Sequence, residues 1–467
     1  MQKIIANIPS TILSDEKKQL VLDAVENTEP QYSIRLNSKK VSTNLNLEKV
    51  SWCKNAYYVK DKPRFSMDPL WHAGAYYVQE AGSMFLDTIV RNIPFDKEPT
   101  HVLDLCAAPG GKTTLLSEAL PESCVIVANE ILPQRLKSLH ENIIKWGNPN
   151  IITTNNNPKA FEKLPNYFDL VLVDAPCSGE GLLRRNDEAL NQWSPKLIEE
   201  CSYTQKQILT SALETLLPWG YLIYSTCAYN VSENEEILKW LIEENHCIPV
   251  DLNLELSDQI IVTETRGTKA YRFFPGLTKS EGFFITVVRK MESHSNPIHW
   301  SDKKTKIKYA ANPMKEFISF QQQSVIVEEK EMLKFYWEDV LEGSSHLAKY
   351  LKIIDAARDF GTVKNNKFIP AETVGFTTGL TIDEKLTLDL NYDEAILFLS
   401  RGNLKLTSDR IGYTFLKFEN VILGVVNILE NRVNNYYPNH WRILNPDISK
   451  AFSIVDFFQH RDKENTK

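Results

Sequence analysis

Asp104-Leu105-Cys106-Ala107-Ala108-Pro109-Gly110-Gly111-Lys112-Thr113 lies between an apolar run, His101-Val102-Leu103, and a helical pattern from Thr114 to Leu120. A buried strand that ends in a Gly-Gly turn and opens a helix presents backbone N–H groups to a ligand. The two glycines allow a sharp bend and a close approach with no Cβ in the way. A phosphate-binding P-loop needs a glycine five residues before its second glycine, and Cys106 stands there. The nicotinamide fingerprint G-x-G-x-x-G is also absent. S-adenosylmethionine, which carries no phosphate and so needs no full phosphate cradle, remains as a candidate beside the other nucleotides and beside a plain tight turn.

Working outward, residues 96–290 alternate strand and helix patterns. Strands are expected at 101–105, 124–129, 150–154, 168–173 and 220–224, with helices over 133–146, 195–217 and 232–244. A late hairpin is expected from 269–274 and 282–288. Such alternation implies an α/β fold with a parallel sheet covered on both faces, and ligands bind at the carboxyl ends of its strands. Residues 1–95 read as a small α+β domain. Pro9-Ser10-Thr11 is expected to cap a helix running to Val25, and Tyr32 to Asn37 to form a strand. The aromatics Trp52, Tyr57, Tyr58, Trp71, Tyr76 and Tyr77 read as packing more readily than as an RNA-stacking surface. Residues 291–382 read as a polar linker, to Pro313, followed by a small intermediate domain. From 383 to 467, runs such as Ala395 to Leu399, Tyr413 to Phe418 and Val421 to Val426 suggest a small barrel.

Composition bounds the function classes. The chain has 467 residues, 43% apolar and 24% charged, which is too long for one ordinary domain and typical of a water-soluble protein. No apolar run reaches the ~18 residues of a membrane span, and the N-terminus shows no secretory signal. Seven cysteines without a C-x-x-C pair argue against a disulfide framework and against a metal site, and favour the cytoplasm with free thiols available for chemistry. The net charge of −7 gives no general attraction to nucleic acid, so RNA binding would need a local patch. Lys303 to Lys308 and Arg184-Arg185 are the candidates, although a lysine run is more often a solvated face.

Four expected strand ends carry polar or reactive residues. Besides the Gly-Gly turn, Asn129-Glu130 follows the second strand, where an acidic residue can hold ribose hydroxyls. Asp174-Ala175-Pro176-Cys177-Ser178-Gly179-Glu180-Gly181 follows the fourth, and Tyr224-Ser225-Thr226-Cys227 ends the fifth. A free cysteine is usually a small buried hydrophobe, which suits Cys53, Cys124, Cys201 and Cys247. Cys177 and Cys227 instead sit where the ligand crevice is expected. Beside a methyl donor, two thiols and an Asp suit methylation of cytosine at carbon 5. A thiolate adding to carbon 6 makes carbon 5 nucleophilic. Asp174 would hold a proton at ring nitrogen 3. The second thiol would assist release.

With these residues in view, the chain resembles the Sun-family RNA cytosine-5 methyltransferases, in particular the RsmF-like bacterial ribosomal RNA enzymes. The carrying motifs are Asp104 to Thr113, Asp174 to Gly181, and Tyr224 to Cys227 with Glu233-Asn234-Glu235; weaker agreement covers Asp68-Pro69-Leu70, Tyr77 to Met84, Leu399 to Gly402 and Asn435 to Arg442. The resemblance implies a Rossmann-like methyltransferase sheet and a C-terminal PUA-like RNA-binding barrel. It implies S-adenosyl-L-methionine as cofactor, held by Cys106, Ala107, Ala108, Pro109, Gly110, Gly111, Lys112, Glu130 and Asp174. It implies Cys227 as nucleophile and Cys177 in product release, roles that are exchanged in the related DNA enzymes. The family's Asp after the third strand is replaced here by Asn155-Asn156-Asn157, so Asn156 or Asn157 would meet the adenine. The implied partner is RNA, ribosomal RNA of the small subunit ahead of transfer RNA. A catalytically silent RNA-binding assembly factor is the reading from another class. Trp193, Tyr229 and Arg184 are candidates to line the path of an unstacked base.

Overall fold

The computed structural model describes residues 1–60, 63–182, 184, 193–291, 307–320, 324–365, 367–406, 410–447 and 453–458. Arg185 and residues 303–306, parts of the two basic candidates, lie outside the described residues, as does most of the expected linker.

The centre is a ten-stranded mixed sheet. Its parallel part consists of β1 (His101–Asp104), β2 (Val125–Asn129), β3 (Ile151–Thr154), β4 (Phe168–Asp174) and β5 (Leu216–Thr226). Then follow β6 (Cys247–Pro249), β7 (Ile261–Thr265), β8 (Thr268–Phe273), β9 (Phe283–Lys290) and β10 (Ile353–Asp355). The order is β7-β8-β9-β5-β4-β1-β2-β3-β10, with β6 paired to β9. The chain runs outward from β1 through β2 to β3, then returns to the other side of β1 as β4. That reversal opens a crevice at the carboxyl ends of β1 and β4.

Both faces of the parallel strands are buried, so their residues are apolar without strict alternation. One face places Leu103, Val127, Ile152 and Val171 against helices α3 (Pro195–Thr215) and α4 (Glu235–Glu243), through Leu209, Ala212, Ile237 and Leu241. The other places Val102, Ile126, Ala128 and Leu170 against α1 (Gly111–Ala119) and α2 (Pro133–Trp146), through Leu115, Leu116, Leu139 and Ile143. Pro133 starts α2, and Gly147, in the left-handed region at φ +89°, ends it. Gly110 has φ +108° and turns the chain from β1 into α1.

The first 95 residues add a three-stranded antiparallel sheet in which Tyr32–Leu36 lies between Ala56–Val59 and Tyr76–Val78. The early helix starts later than expected, at Asp15, capped by Ser14 accepting from Lys17 N at 3.4 Å. Asp15 and Glu16 in its first turn favour that start over Ser10 or Thr11. Residues 309–370 hold a five-stranded sheet. This region also supplies β10, which pairs antiparallel with β3 and extends the central sheet. The C-terminal part has a four-stranded sheet built from Thr387–Asp389, Gly412–Phe418, Val421–Leu429 and Arg432–Asn435. Ala395 to Leu399, expected as a strand, is helical within Tyr392–Leu399, where Asn391 and Glu394 form a capping box. A short apolar run cannot be assigned by periodicity, and the cap decides it. Among the described residues no helix is long and apolar enough to cross a membrane.

Two buried ionisable groups join the modules to the Gly-Gly turn. Arg35, from the N-terminal sheet, donates to Glu118 at 2.7 Å, Thr114 Oγ1 at 2.6 Å and Gly111 O at 3.2 Å, all on α1. Its guanidinium also lies 4.6 Å from the Trp146 ring centre. Asp104 closes β1 onto α1, its Oδ2 accepting from Thr113 Oγ1 at 2.6 Å. Burial pushes the Asp104 carboxyl up to about 7, against the pull of the Thr113 hydrogen bond and helped by the nearby Asp174 charge.

Arg35→Ala leaves Glu118 without its cation, with only Ser38 still donating to it, and is expected to cost about 3–5 kcal/mol in urea unfolding. An unchanged midpoint would show that the N-terminal sheet does not brace the turn. Asp104 keeps its proton in the folded state between its ordinary 3.8 and about 7. Stability tied to it is therefore full below that window and lost as pH rises through it. Asp104→Asn is expected to flatten that part of the curve of melting temperature against pH; a constant offset between the two proteins would sink the assignment.

Candidate active site

Asp174 is the last residue of β4, next to β1 on one side and β5 on the other. Its Oδ2 lies 2.8 Å from Lys112 Nζ, which comes from the first turn of α1. Its Oδ1 accepts from Ser225 Oγ at 2.8 Å; Ser225 is its register partner on β5. Burial works against the charge on Lys112, but the pairing with Asp174 prevails and its pKa is raised. The ammonium also sits 5.1 Å from the Phe283 ring centre.

The strand ladder between β4 and β5 ends at Asp174 and Ser225; β4 stops there, while β5 runs one residue further, Thr226 pairing with Phe284 on β9. Cys177 and Cys227 follow at similar distances beyond it. Their Sγ atoms are 2.9 Å apart, and both thiols are free and half-buried. The hydrogen bond shared with Cys177 is the chief cause that raises the Cys227 thiol well above its ordinary value, followed by burial and by the charges of Cys177 and Asp174. Lys112 acts in the opposite direction.

The Gly-Gly turn is fixed mainly through its carbonyls. Arg135 donates to Ala108 O at 2.6 Å, and Pro109 O accepts from Tyr77 OH at 3.2 Å and Asn142 Nδ2 at 2.9 Å. Ala107 N donates to Asn129 O at 2.8 Å. Cys106 is half-buried, and burial raises its thiol. Asp104 Oδ1 is buried and has no hydrogen-bond partner among the described residues. Glu130 stands at the end of β2, 2% exposed, with Oε1 accepting from Leu132 N at 2.8 Å and Oε2 3.6 Å from Arg135. Asp174, Lys112, the two cysteines, the turn and Glu130 thus all belong to the carboxyl ends of neighbouring strands.

The asparagines after β3 are differently engaged. Asn156 exchanges two hydrogen bonds with the backbone of Lys352, at 2.9 and 3.1 Å, holding the approach to β10. Asn157 caps the following short helix by accepting from Lys159 N at 3.0 Å. Trp193 Nε1 donates to Glu180 at 2.8 Å, the Tyr229 ring stacks on Phe274 at 5.2 Å, and Arg184 pairs with Glu281 at 3.0 Å. These three side chains are committed to internal contacts. Sequence reading missed Ser225, Arg135, Tyr77 and Asn142 as well as the carboxylates Glu180 and Glu233, which bind the two thiol loops. Ser225, Glu180, Glu233 and Tyr77 lie inside quoted motifs; Arg135 and Asn142 carry no local signal. Among the described residues no group of three His, Cys, Asp or Glu side chains could hold a metal ion.

Three family models match in order along the chain: the N-terminal domain of 16S rRNA methyltransferase RsmF at residues 5–81, 16S rRNA methyltransferase RsmB/F at 94–289, and the methyltransferase RsmF PUA domain at 385–443. Ribosomal RNA small subunit methyltransferase F of Pectobacterium atrosepticum is 34% identical over 279 residues, covering 56% of this chain and 57% of that protein. The protein of the same name from Salmonella heidelberg is 35% identical over 279 residues, with the same coverage of 56% and 57%. The matched part thus spans little more than half the length of these relatives. Among solved structures, the crystal structure of PH0851 aligns with a TM-score of 0.53 at 25% identity, over 62% of this chain and 65% of that one. NSun6 from Pyrococcus horikoshii with SFG aligns with a TM-score of 0.51 at 18% identity, over 63% of this chain and 99% of that one, and so shares the fold. With a Rossmann-like sheet at its centre, the chain matches the RsmB/F methyltransferase family over residues 94–289 and the RsmF N-terminal and PUA domains on either side of it.

Proposed function

We propose that this protein is a cytoplasmic, S-adenosyl-L-methionine-dependent RNA cytosine-5 methyltransferase acting on ribosomal RNA of the small subunit. The observation that carries the reading is the 2.9 Å approach of Cys177 and Cys227 beside the Lys112–Asp174 pair. A single thiol at a strand end would be unremarkable chemistry; two converging from different strands suit a reaction that both forms and breaks a carbon–sulfur bond.

The donor fits the crevice. Asp104 keeps one buried carboxyl oxygen with no hydrogen-bond partner among the described residues, and Glu130 stands at the end of the neighbouring strand. Residues Cys106 to Lys112, with Glu130 and Asp174, would hold it, and when bound it supplies an electrophilic methyl group. Cys227 Sγ, losing its proton, forms a bond to carbon 6 of cytosine. Asp174 holds a proton at ring nitrogen 3, which takes up the electron density displaced by that addition. Lys112 orients Asp174 and opposes the forces that keep Cys227 protonated. Once carbon 5 carries the methyl group, Cys177, having given its own proton to solvent, takes the carbon 5 proton as its thiolate; the freed electron pair forms the carbon 5–carbon 6 double bond, Cys227 leaves carbon 6 as a thiolate, and the nitrogen 3 proton returns to Asp174. The PUA-type domain at 385–443 gives RNA affinity that a net charge of −7 does not.

RNA carrying 5-azacytidine should form a denaturant-stable adduct with the protein and donor, and none with Cys227→Ala. Cys177→Ala should accumulate adduct even on ordinary cytosine RNA; the opposite pattern would exchange the two roles. Lys112→Met removes a cation that lowers the Cys227 thiol, so the pH of half-maximal adduct formation should rise, by up to about 1 unit. An unshifted profile would mean that Lys112 does not act on the nucleophile.

A further inference from the structure

Beyond the ends of β4 and β5 no backbone ladder fixes the two thiol loops relative to one another, yet their sulfurs meet. Two buried carboxylates cross between the loops in opposite directions. Glu233, which follows Cys227, reaches back to the Cys177 loop. It accepts from Ser178 N at 3.0 Å, from Ser178 Oγ through a short hydrogen bond, from Gln205 Nε2 at 2.8 Å and from Asn230 Nδ2 at 2.7 Å. Gln205 also donates to Pro176 O at 3.0 Å, so the residues on both sides of Cys177 are held. Glu180, which follows Cys177, reaches forward to the Cys227 loop. It accepts from Tyr229 N at 2.7 Å, Asn230 N at 2.8 Å, Asn230 Nδ2 at 3.0 Å and Trp193 Nε1 at 2.8 Å. Gly181 N adds a bond to Cys227 O at 2.6 Å.

Glu180 is 2% exposed and Glu233 fully buried, and among the described residues neither pairs with a cation. Carboxylates buried in this way are expensive unless every lone pair is satisfied. Each accepts from four donors, the full capacity of an ionised carboxylate. Neither site tolerates an amide of the same shape, because one of its two ends would turn N–H groups toward donors.

We propose that Glu180 and Glu233 are positioning residues that form a reciprocal clamp, each thiol loop gripping the other, and that this clamp sets the Cys177–Cys227 approach. The methylation reading gives the clamp its purpose, but the geometry can be tested apart from it. Phenylarsine oxide bridges two adjacent thiols, forming two arsenic–sulfur bonds and releasing one water. In full-length protein carrying Cys201→Ser, to remove the thiol on α3, capture of the Cys177–Cys227 pair should be fast. Glu180→Gln and Glu233→Gln should each slow it by at least about tenfold, since misplacement of reacting groups by 1 Å costs rates on that scale. Alkylation of the cysteines singly by iodoacetamide should stay within about twofold, which a general loosening of the fold would not leave unchanged. With cytosine RNA and donor, Glu233→Gln should lower kcat at nearly constant KM and accumulate covalent adduct.

If folded Gln variants capture arsenic as fast as the parent, the clamp is overturned. If either fails to fold, Ser178→Ala, which removes one donor, should still slow capture about threefold, and parental capture by that variant overturns the proposal equally. Slowed capture in variants of a parent that forms no adduct with RNA would keep the clamp and refute the methylation reading.

Discussion

Neighbouring parallel strands stand about 4.8 Å apart, and that spacing governs what can meet at their ends. Here β1, β4 and β5 are consecutive in the sheet, so Asp174 and Ser225 emerge side by side, with Asp104 on the adjacent strand level with Leu172, two residues short of them. The fold supplies this adjacency before any side chain acts. The chain's return past β1 leaves the crevice open above these three ends and nowhere else in the parallel part. Lys112, one turn into the helix that follows β1, is then within reach of a carboxylate two strand ends away in sequence but next door in space.

The outer modules make that crevice rigid. A Gly-Gly turn is chosen for its freedom, and freedom has to be removed if the turn is to hold a shape. Arg35 from the N-terminal sheet grips the start of α1, while Tyr77, Asn142 and Arg135 take the carbonyls of Ala108 and Pro109. The N-terminal sheet is in turn fastened to the end of the chain. Buried Asp68 accepts from Leu70 N and Tyr76 OH nearby and from Ile454 N, nearly four hundred residues on, at 3.0 Å. The C-terminal module is therefore coupled to the turn through the N-terminal one, by contacts that join distant stretches of sequence.

That wiring explains what the sequence could and could not reveal. The five parallel strands were legible because each holds a short apolar run, such as Val125 to Ala128 or Leu170 to Val173, close to turn or polar residues, and α2 because proline and glycine mark its two ends. The reactive residues were legible because strand ends in such a sheet face a ligand. Strand β10 was not, since Ile353-Ile354-Asp355 is too short to show a period and exists only by pairing with β3. The helix at Tyr392–Leu399 was misread because its apolar face is nearly continuous and its cap lies upstream of the run. Glu180 and Glu233 stood within the quoted motifs, yet their task appears only when two loops fifty residues apart are seen to exchange carboxylates.

The closeness of the sulfurs has a consequence for the order of events in the proposed reaction. Two thiolates 2.9 Å apart in a partly buried site would repel strongly, so the pair carries at most one negative charge at a time. Lys112 and Asp174 bear on Cys227 in opposite senses, the first favouring its ionised form and the second disfavouring it, within an overall rise set mainly by the hydrogen bond with Cys177 and by burial. When Cys227 bonds to carbon 6 its sulfur becomes an uncharged thioether, so a negative charge on the neighbouring sulfur then meets no like charge. As a thiolate, its own proton given to solvent, Cys177 can accept the carbon 5 proton once Cys227 has committed to the ring. A short sulfur–sulfur distance, which looks like a conflict between two nucleophiles, thus makes their actions sequential, and the opposed carboxylates of the two loops are what such a distance requires.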